Sequence, residues 1–142
     1  MLEINPSVQV YQVACPEFVP LIERNCIHAP ETVAVVRDRL QPLIEAQIDT
    51  LVYGCTHYPH LAPVIQAQLP PTIESVNPAT QMAIAADQEL EILQLHNPQP
   101  SGSTQFFVSG NCPEQFAQLS SQWLGFLPEV HKAHLPILST VT

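Results

Sequence analysis

Leu51-Val52-Tyr53-Gly54-Cys55-Thr56-His57-Tyr58-Pro59 is the stretch on which the reading of this chain turns. It begins as an apolar run and ends in a small polar cluster. A thiol follows a glycine by one residue, an imidazole follows the thiol by two, and a proline then permits a helix to start. The order is that of a buried strand that stops, a tight turn that presents a cysteine, and a helix leading away over Tyr58 to Gln68. The strand itself, Asp49 to Tyr53, is largely apolar, which suits a parallel strand covered on both faces.

Working outward, strand and helix alternate on both sides of this turn. Upstream, Val8 to Ala14 alternates and is rich in valine, so it reads as a strand. Pro16 or Glu17 then opens a short helix through Arg24. Pro30-Glu31-Thr32 starts a second helix, in which Val33, Val36, Leu40, Leu43 and Ile44 lie at 3-4 spacing and Pro42 introduces a kink. Downstream, Pro70-Pro71 stops the helix after the turn, Thr72 to Val76 is a short strand, and Pro78 to Leu95 is a long helix. His96 to Thr104 is a linker. Gln105 to Val108 is a strand and Pro113 to Trp123 a helix, joined by Ser109-Gly110-Asn111-Cys112. Over Leu124 to Thr142 the one strand signal lies near Ile137-Leu138.

Such alternation predicts an α/β fold with a mainly parallel sheet flanked by helices. Ligands in such sheets bind beyond the carboxyl ends of the strands. Cys15, Cys55 and the turn near Asn77 all follow expected strands, so they are candidates for one shared rim.

Composition narrows the chemistry. The 142 residues are 46 % apolar, enough for a real core, and carry a net charge of −9. Four basic residues offer no stripe for displacing the counterions of a nucleic acid, and an anionic membrane surface would repel the chain. Lys132 is the single lysine and lies in the tail, which argues against a pyridoxal-phosphate Schiff base. No charged-then-apolar leader opens the chain, and no apolar run approaches the ~20 residues of a membrane helix. A cytoplasmic compartment with reduced thiols is therefore expected for Cys15, Cys26, Cys55 and Cys112.

At Cys55 two readings stand side by side. A thiol facing the positive end of a helix and a nearby imidazolium is activated as a nucleophile or a base. Thr56 offers a hydroxyl and a backbone N–H to a carboxylate, and His57 offers a proton to the same ligand. Against this, unpaired cysteine is among the most buried residue types and behaves as a small apolar side chain. A metal site competes as well: Cys26-x-His28 and Cys55-x-His57, with Cys15 and His60, could supply tetrahedral zinc. Their one-residue separations are shorter than the usual structural spacing.

Tyr53-Gly54-Cys55-Thr56-His57-Tyr58-Pro59-His60-Leu61 resembles the second cysteine motif of bacterial glutamate racemases. Ala14-Cys15-Pro16-Glu17-Phe18-Val19-Pro20-Leu21-Ile22-Glu23 resembles the family's Ala-Cys-Pro segment ending in an acidic residue. Phe106-Phe107-Val108-Ser109-Gly110 with Pro113-Glu114-Gln115-Phe116 resembles its C-terminal strand and helix. The resemblance implies cofactor-independent racemisation of glutamate by two cysteines on opposite faces of the α-carbon. It implies Cys55 as one of the two proton-transfer thiols, Thr56 as a holder of the α-carboxylate, His57 as the assistant of Cys55, and Glu23 as the carboxylate that sets the state of His57. It also implies D-glutamate as a product for peptidoglycan synthesis, with a homodimer as the common assembly.

Two departures accompany it. The family's Cys-Asn-Thr motif and its N-terminal Asp-Ser segment do not occur here. The chain therefore matches the second domain, residues 1–76, followed by a crossover helix, linker and return segment, residues 77–142, that would complete a first domain. With one cysteine of two, the chain by itself is expected to be inactive and to need the missing N-terminal half as a partner, with Phe106, Phe107 and Trp123 left exposed. Asn77-Pro78 also stands where the family usually has Asp-Ser. Two alternatives remain open: an aspartate or hydantoin racemase of the same superfamily, and a non-catalytic glutamate-binding or regulatory module.

Overall fold

Prolines and caps set the helix boundaries in the computed structural model, which describes residues 5–99 and 102–135. Helix α1 is Phe18–Glu23 and α2 is Pro30–Glu45. Pro30 lies in the first turn of α2, where its missing N–H costs nothing, and Glu31 complements the positive end of the helix. The helix continues through Pro42, whose carbonyl accepts from Ala46 N–H at 3.1 Å. With only four glycines in the chain, other residues supply three of the left-handed helix ends among the described residues. Asn25, Gln47 and Gln94 all have φ between 54° and 57°. In each case two backbone bonds close the helix end: after α2, Gln47 N–H donates to Ile44 and Ile48 N–H to Leu43.

Strand β1 (Thr50–Val52) pairs in parallel with β2 (Glu74–Val76), Val52 opposite Val76. Tyr53 N–H donating to the Val76 carbonyl at 3.1 Å and Glu74 N–H to Asp49 at 2.9 Å lengthen the ladder by one bond at each end. Between them lie a 3-10 turn, Tyr58–Leu61, and helix α3, Ala62–Gln68. The single helix expected over Tyr58 to Gln68 is thus broken in two, and Pro63 is the reason. Inside a continuous helix its ring would meet the carbonyl of Pro59. That carbonyl instead accepts from Ala62 N–H in a 3-10 bond.

The parallel α/β arrangement expected from the alternation is present, with one strand fewer at its start. Residues 8–14 form no strand among the described residues. Alternation makes a strand only where a neighbouring edge accepts its backbone bonds, and β1 pairs with β2 alone.

The chain divides into two compact units, Met1–Leu95 and His96–Thr142. In the first, α1, α2, α3 and the 3-10 turn enclose a core of Phe18, Ile22, Val36, Leu40, Leu61 and Ile65, among others. Thr32 is fully buried there with its hydroxyl donating to the Cys26 carbonyl, so its polarity is satisfied. The Tyr53 hydroxyl is buried without a protein partner among the described residues. Helix α4, Pro78–Ile92, ends this unit and buries none of its residues.

The second unit is a β-α-β crossover. Strand β3 (Phe106–Val108) pairs in parallel with β4 (Val130–Lys132), and α5 (Pro113–Leu124) connects them. Gly125 ends α5 at φ 75°, a left-handed position that suits a residue without Cβ. The strand expected near Ile137-Leu138 falls outside the described residues. Strand β4 went unforeseen because Val130-His131-Lys132 is three residues long and mixes apolar with charged side chains. Phe107 is 59 % exposed, and Trp123 is exposed too, as the sequence led one to expect. Phe106 is only partly covered, with its ring 6.3 Å from that of Phe126.

Candidate active site

The turn after β1 brings together three residues that the sequence singled out. Cys55 Sγ lies 4.0 Å from His57 Nδ1, and His57 Nε2 lies 3.0 Å from Glu23 Oε1. Glu23 is the last residue of α1, so a helix placed 34 residues away in sequence supplies the carboxylate. A proton on Nε2 would be donated to Glu23 and would leave Nδ1 as the acceptor facing the thiol. Thiol, imidazole and carboxylate thus form a line along which a proton can be drawn from Cys55. His57 and Glu23 side chains are 36 % and 55 % exposed, so solvent screens the pair and its value is chiefly one of orientation.

Tyr58 N–H donates to the Cys55 carbonyl at 3.2 Å and His60 N–H to that of His57 at 3.0 Å, which tightens the turn. A Cβ at Gly54 would meet nothing within 4 Å, so the glycine leaves open space beside the thiol. Thr56 lies exposed in the same turn, next to Cys55. The expected helix end facing Cys55 is absent as an α-helix: the element that follows is the four-residue 3-10 turn, and α3 starts seven residues later. Thiol and imidazole, not a helix field, therefore dominate the local chemistry.

The shared rim holds in part. Val52 and Val76 are register partners, so the turn bearing Cys55 and the start of α4 leave the same end of the small sheet. Asn77 caps α4, its side-chain oxygen accepting from Ala79 N–H at 3.1 Å. Cys15 also lies near the turn, its carbonyl accepting from the Tyr58 hydroxyl at 3.4 Å. Burial pushes the Cys15 thiol up despite the opposing pull of Arg39, and the thiol donates to the Val13 carbonyl at 3.6 Å. Cys15 is thereby held protonated, its thiol bonded to the Val13 carbonyl.

The other candidates stay dispersed. Cys26 donates to the Arg24 carbonyl, and Cys112 is exposed at the start of α5. Among the described residues no three of His, Cys, Asp and Glu group as a metal site, so the zinc arrangement is not assembled. No helix among them is long and apolar enough to cross a membrane.

Sequence reasoning gave no role to Arg39, weighed His60 only as a possible zinc ligand, and took Tyr58 only as part of the motif. Arg39 on α2 grips the Glu17 carboxylate with two nitrogens and holds it below the usual carboxylate range. His60 is kept toward its neutral form, first by burial and then by the nearness of His57. Tyr58 stacks edge-on against Phe18 of α1, ring centroids 5.2 Å apart. Only the short spacing of His57 and His60 could have signalled any of these, since the rest are contacts made across the fold.

No protein-family model matches the chain. Among curated proteins it is 57 % identical over 139 residues to the glutamate racemase of Synechocystis sp., covering 98 % of this chain and 50 % of the relative. It is 56 % identical over 128 residues to that of Trichormus variabilis, covering 90 % and 44 %. Among solved structures, glutamate racemase isoform RacE1 of Bacillus anthracis superposes with a TM-score of 0.87 at 27 % identity, covering 96 % of this chain and 51 % of that one. The Thermus thermophilus glutamate racemase, solved with beta-chloro-D-alanine, gives 0.74 at 35 % identity, covering 87 % and 47 %. The chain spans about half the length of the curated relatives it matches.

Proposed function

We propose that this chain, which corresponds to one half of the glutamate racemases it matches, supplies one of two proton-transfer groups for interconverting L- and D-glutamate. The observation that carries the reading is the Cys55–His57–Glu23 line, set in a chain 57 % identical to a glutamate racemase over nearly its whole length. Cys55 as thiolate removes the α-proton from one face of the substrate, or as thiol returns it. His57 takes up or gives back the thiol proton, and Glu23 orients the imidazole. Thr56, exposed beside the thiol, holds the α-carboxylate. Inversion needs a second acid–base group on the opposite face, and the half of the relatives that this chain does not span supplies it. In that view residues 1–76 form one racemase domain, and residues 77–142 cross over and return to complete the other. The assembled enzyme works in the cytoplasm and provides D-glutamate for peptidoglycan.

The test is incubation with L- and with D-glutamate in heavy water, with and without the complementary half of the Synechocystis relative. The chain alone is expected to exchange the α-proton on one face at most. The mixture is expected to racemise. Full racemisation by the chain alone, or none by a mixture shown to associate, would sink the reading.

A further inference from the structure

The geometry assigns Tyr58 as a positioning residue: it holds the Cys55–His57 turn in register with the helix that carries Glu23. The inference rests on the proton-transfer reading of those three residues, and it concerns what keeps them aligned. Glu23 stands at the end of a helix of only six residues. A helix that short is not held by its own backbone bonds, so contacts across the fold must set its place relative to the turn.

Tyr58 makes two such contacts and one within the turn itself. Its backbone N–H donates to the Cys55 carbonyl at 3.2 Å and closes the turn. Its ring meets Phe18, the first residue of α1, edge-to-face at 5.2 Å and 69°, and Phe18 is itself buried. Its hydroxyl donates to the Cys15 carbonyl at 3.4 Å, and that same carbonyl accepts Phe18 N–H at 3.2 Å. The start of α1 and the Cys55 turn are therefore fastened to one acceptor and one aromatic pair. Burial also pushes the Tyr58 hydroxyl up, so it stays protonated as a donor.

The reactivity of Cys55 toward iodoacetamide, read as a ratio to the exposed Cys112 in the same molecules, tests this without substrate. His57→Asn is expected to lower the ratio by removing the base. Tyr58→Phe, which deletes only the hydroxyl bond, is expected to lower it about threefold, the size of one modest hydrogen bond. Tyr58→Leu, which also loses the ring contact, is expected to reach the level of His57→Asn. In the double variant with His57→Asn, Tyr58→Phe is expected to add nothing, because it acts through His57. A Tyr58→Phe ratio equal to or above the parent's overturns the assignment, even if the variant melts earlier, since that would be a structural role only. A further drop in the double variant overturns it too. A His57→Asn ratio equal to the parent's would instead remove the proton-transfer line itself and Tyr58's role with it. Failure of the complementation assay alongside a falling ratio would leave the positioning intact and reject only the racemase reading.

Discussion

Helices α2 and α4 are nearly equal in length, 16 and 15 residues, and both begin with proline in the first turn. Helix α2 buries Thr32, Val36, Leu40 and Leu43, whereas α4 buries nothing. The difference does not come from a lack of apolar residues. Met82 and Ile92 on α4 are 68 % and 74 % exposed, and Ile84 and Leu90 on the same helix are exposed as well. These residues do not fall in one stripe, and a helix apolar on several faces is one that other elements surround. The packed region from α1 to α3 carries the candidate site, while α4 carries exposed apolar side chains. The chain spans about half the length of the curated relatives it matches, and the proposed function assigns the second acid–base group to the other half.

The sharpest way to separate these two regions is to break the chemistry alone. Cys55→Ser, assayed with the complementary half, is expected to lower α-proton exchange by ~10²–10⁴-fold, the usual worth of a positioned acid or base. Association of the two halves should be unchanged in the same samples. Exchange that survives the change would remove Cys55 from the proton transfer, whereas glutamate binding retained by both parent and variant with no exchange in either would favour a binding module.

Next in size is the contrast between the helices. Leu40→Ala in α2 is expected to destabilise the chain by about 2–5 kcal/mol, because a buried side chain leaves a cavity. Ile92→Ala in α4 is expected to stay within about 0.5 kcal/mol in the chain alone. Denaturant unfolding of both variants decides the matter; equal losses would mean that α4 is already covered.

The smallest effect is one of pH. Because the folded state depresses the affinity of His60 for its proton, the unfolded chain binds more protons just below the usual value of 6.5. Stability from this source is full above that value and is lost as pH falls through the folded value. Glu17 behaves in the same sense further down: its contribution is present above about 4.5 and is lost as pH falls through its depressed folded value. Melting temperature against pH should therefore show a first decline below about 6.5 that His60→Gln flattens, and a later one that Glu17→Gln flattens. A first decline unchanged in His60→Gln would assign it to other groups.

Much of this was legible from local signals. Pro30, Pro78 and Pro113 marked helix starts, and the spacing of Val36, Leu40 and Leu43 marked a buried face. The apolar run before Gly54 marked β1, though the strand is not covered on both faces as expected, since it pairs with β2 alone and Val52 is 46 % exposed; Cys55, His57 and Glu23 were named together by resemblance. Other features were not legible. Valine alternation over residues 8–14 announced a strand that has no partner among the described residues. Proline spacing after the turn was readable in principle, yet the competition between Pro59 and Pro63 appears only when carbonyl and ring must share one helix.

By itself the sequence determined the kinds of element, their order, and the residue types available for proton transfer. These depend on capping, on proline geometry and on apolar period, all of which act within a few residues. The tertiary structure alone decided that Glu23 meets His57 across 34 residues, that Tyr58 and Phe18 share the Cys15 carbonyl, and that α2 is covered while α4 is not. Those outcomes depend on which surfaces find a partner, and burial is a property of pairs of elements, not of either sequence alone.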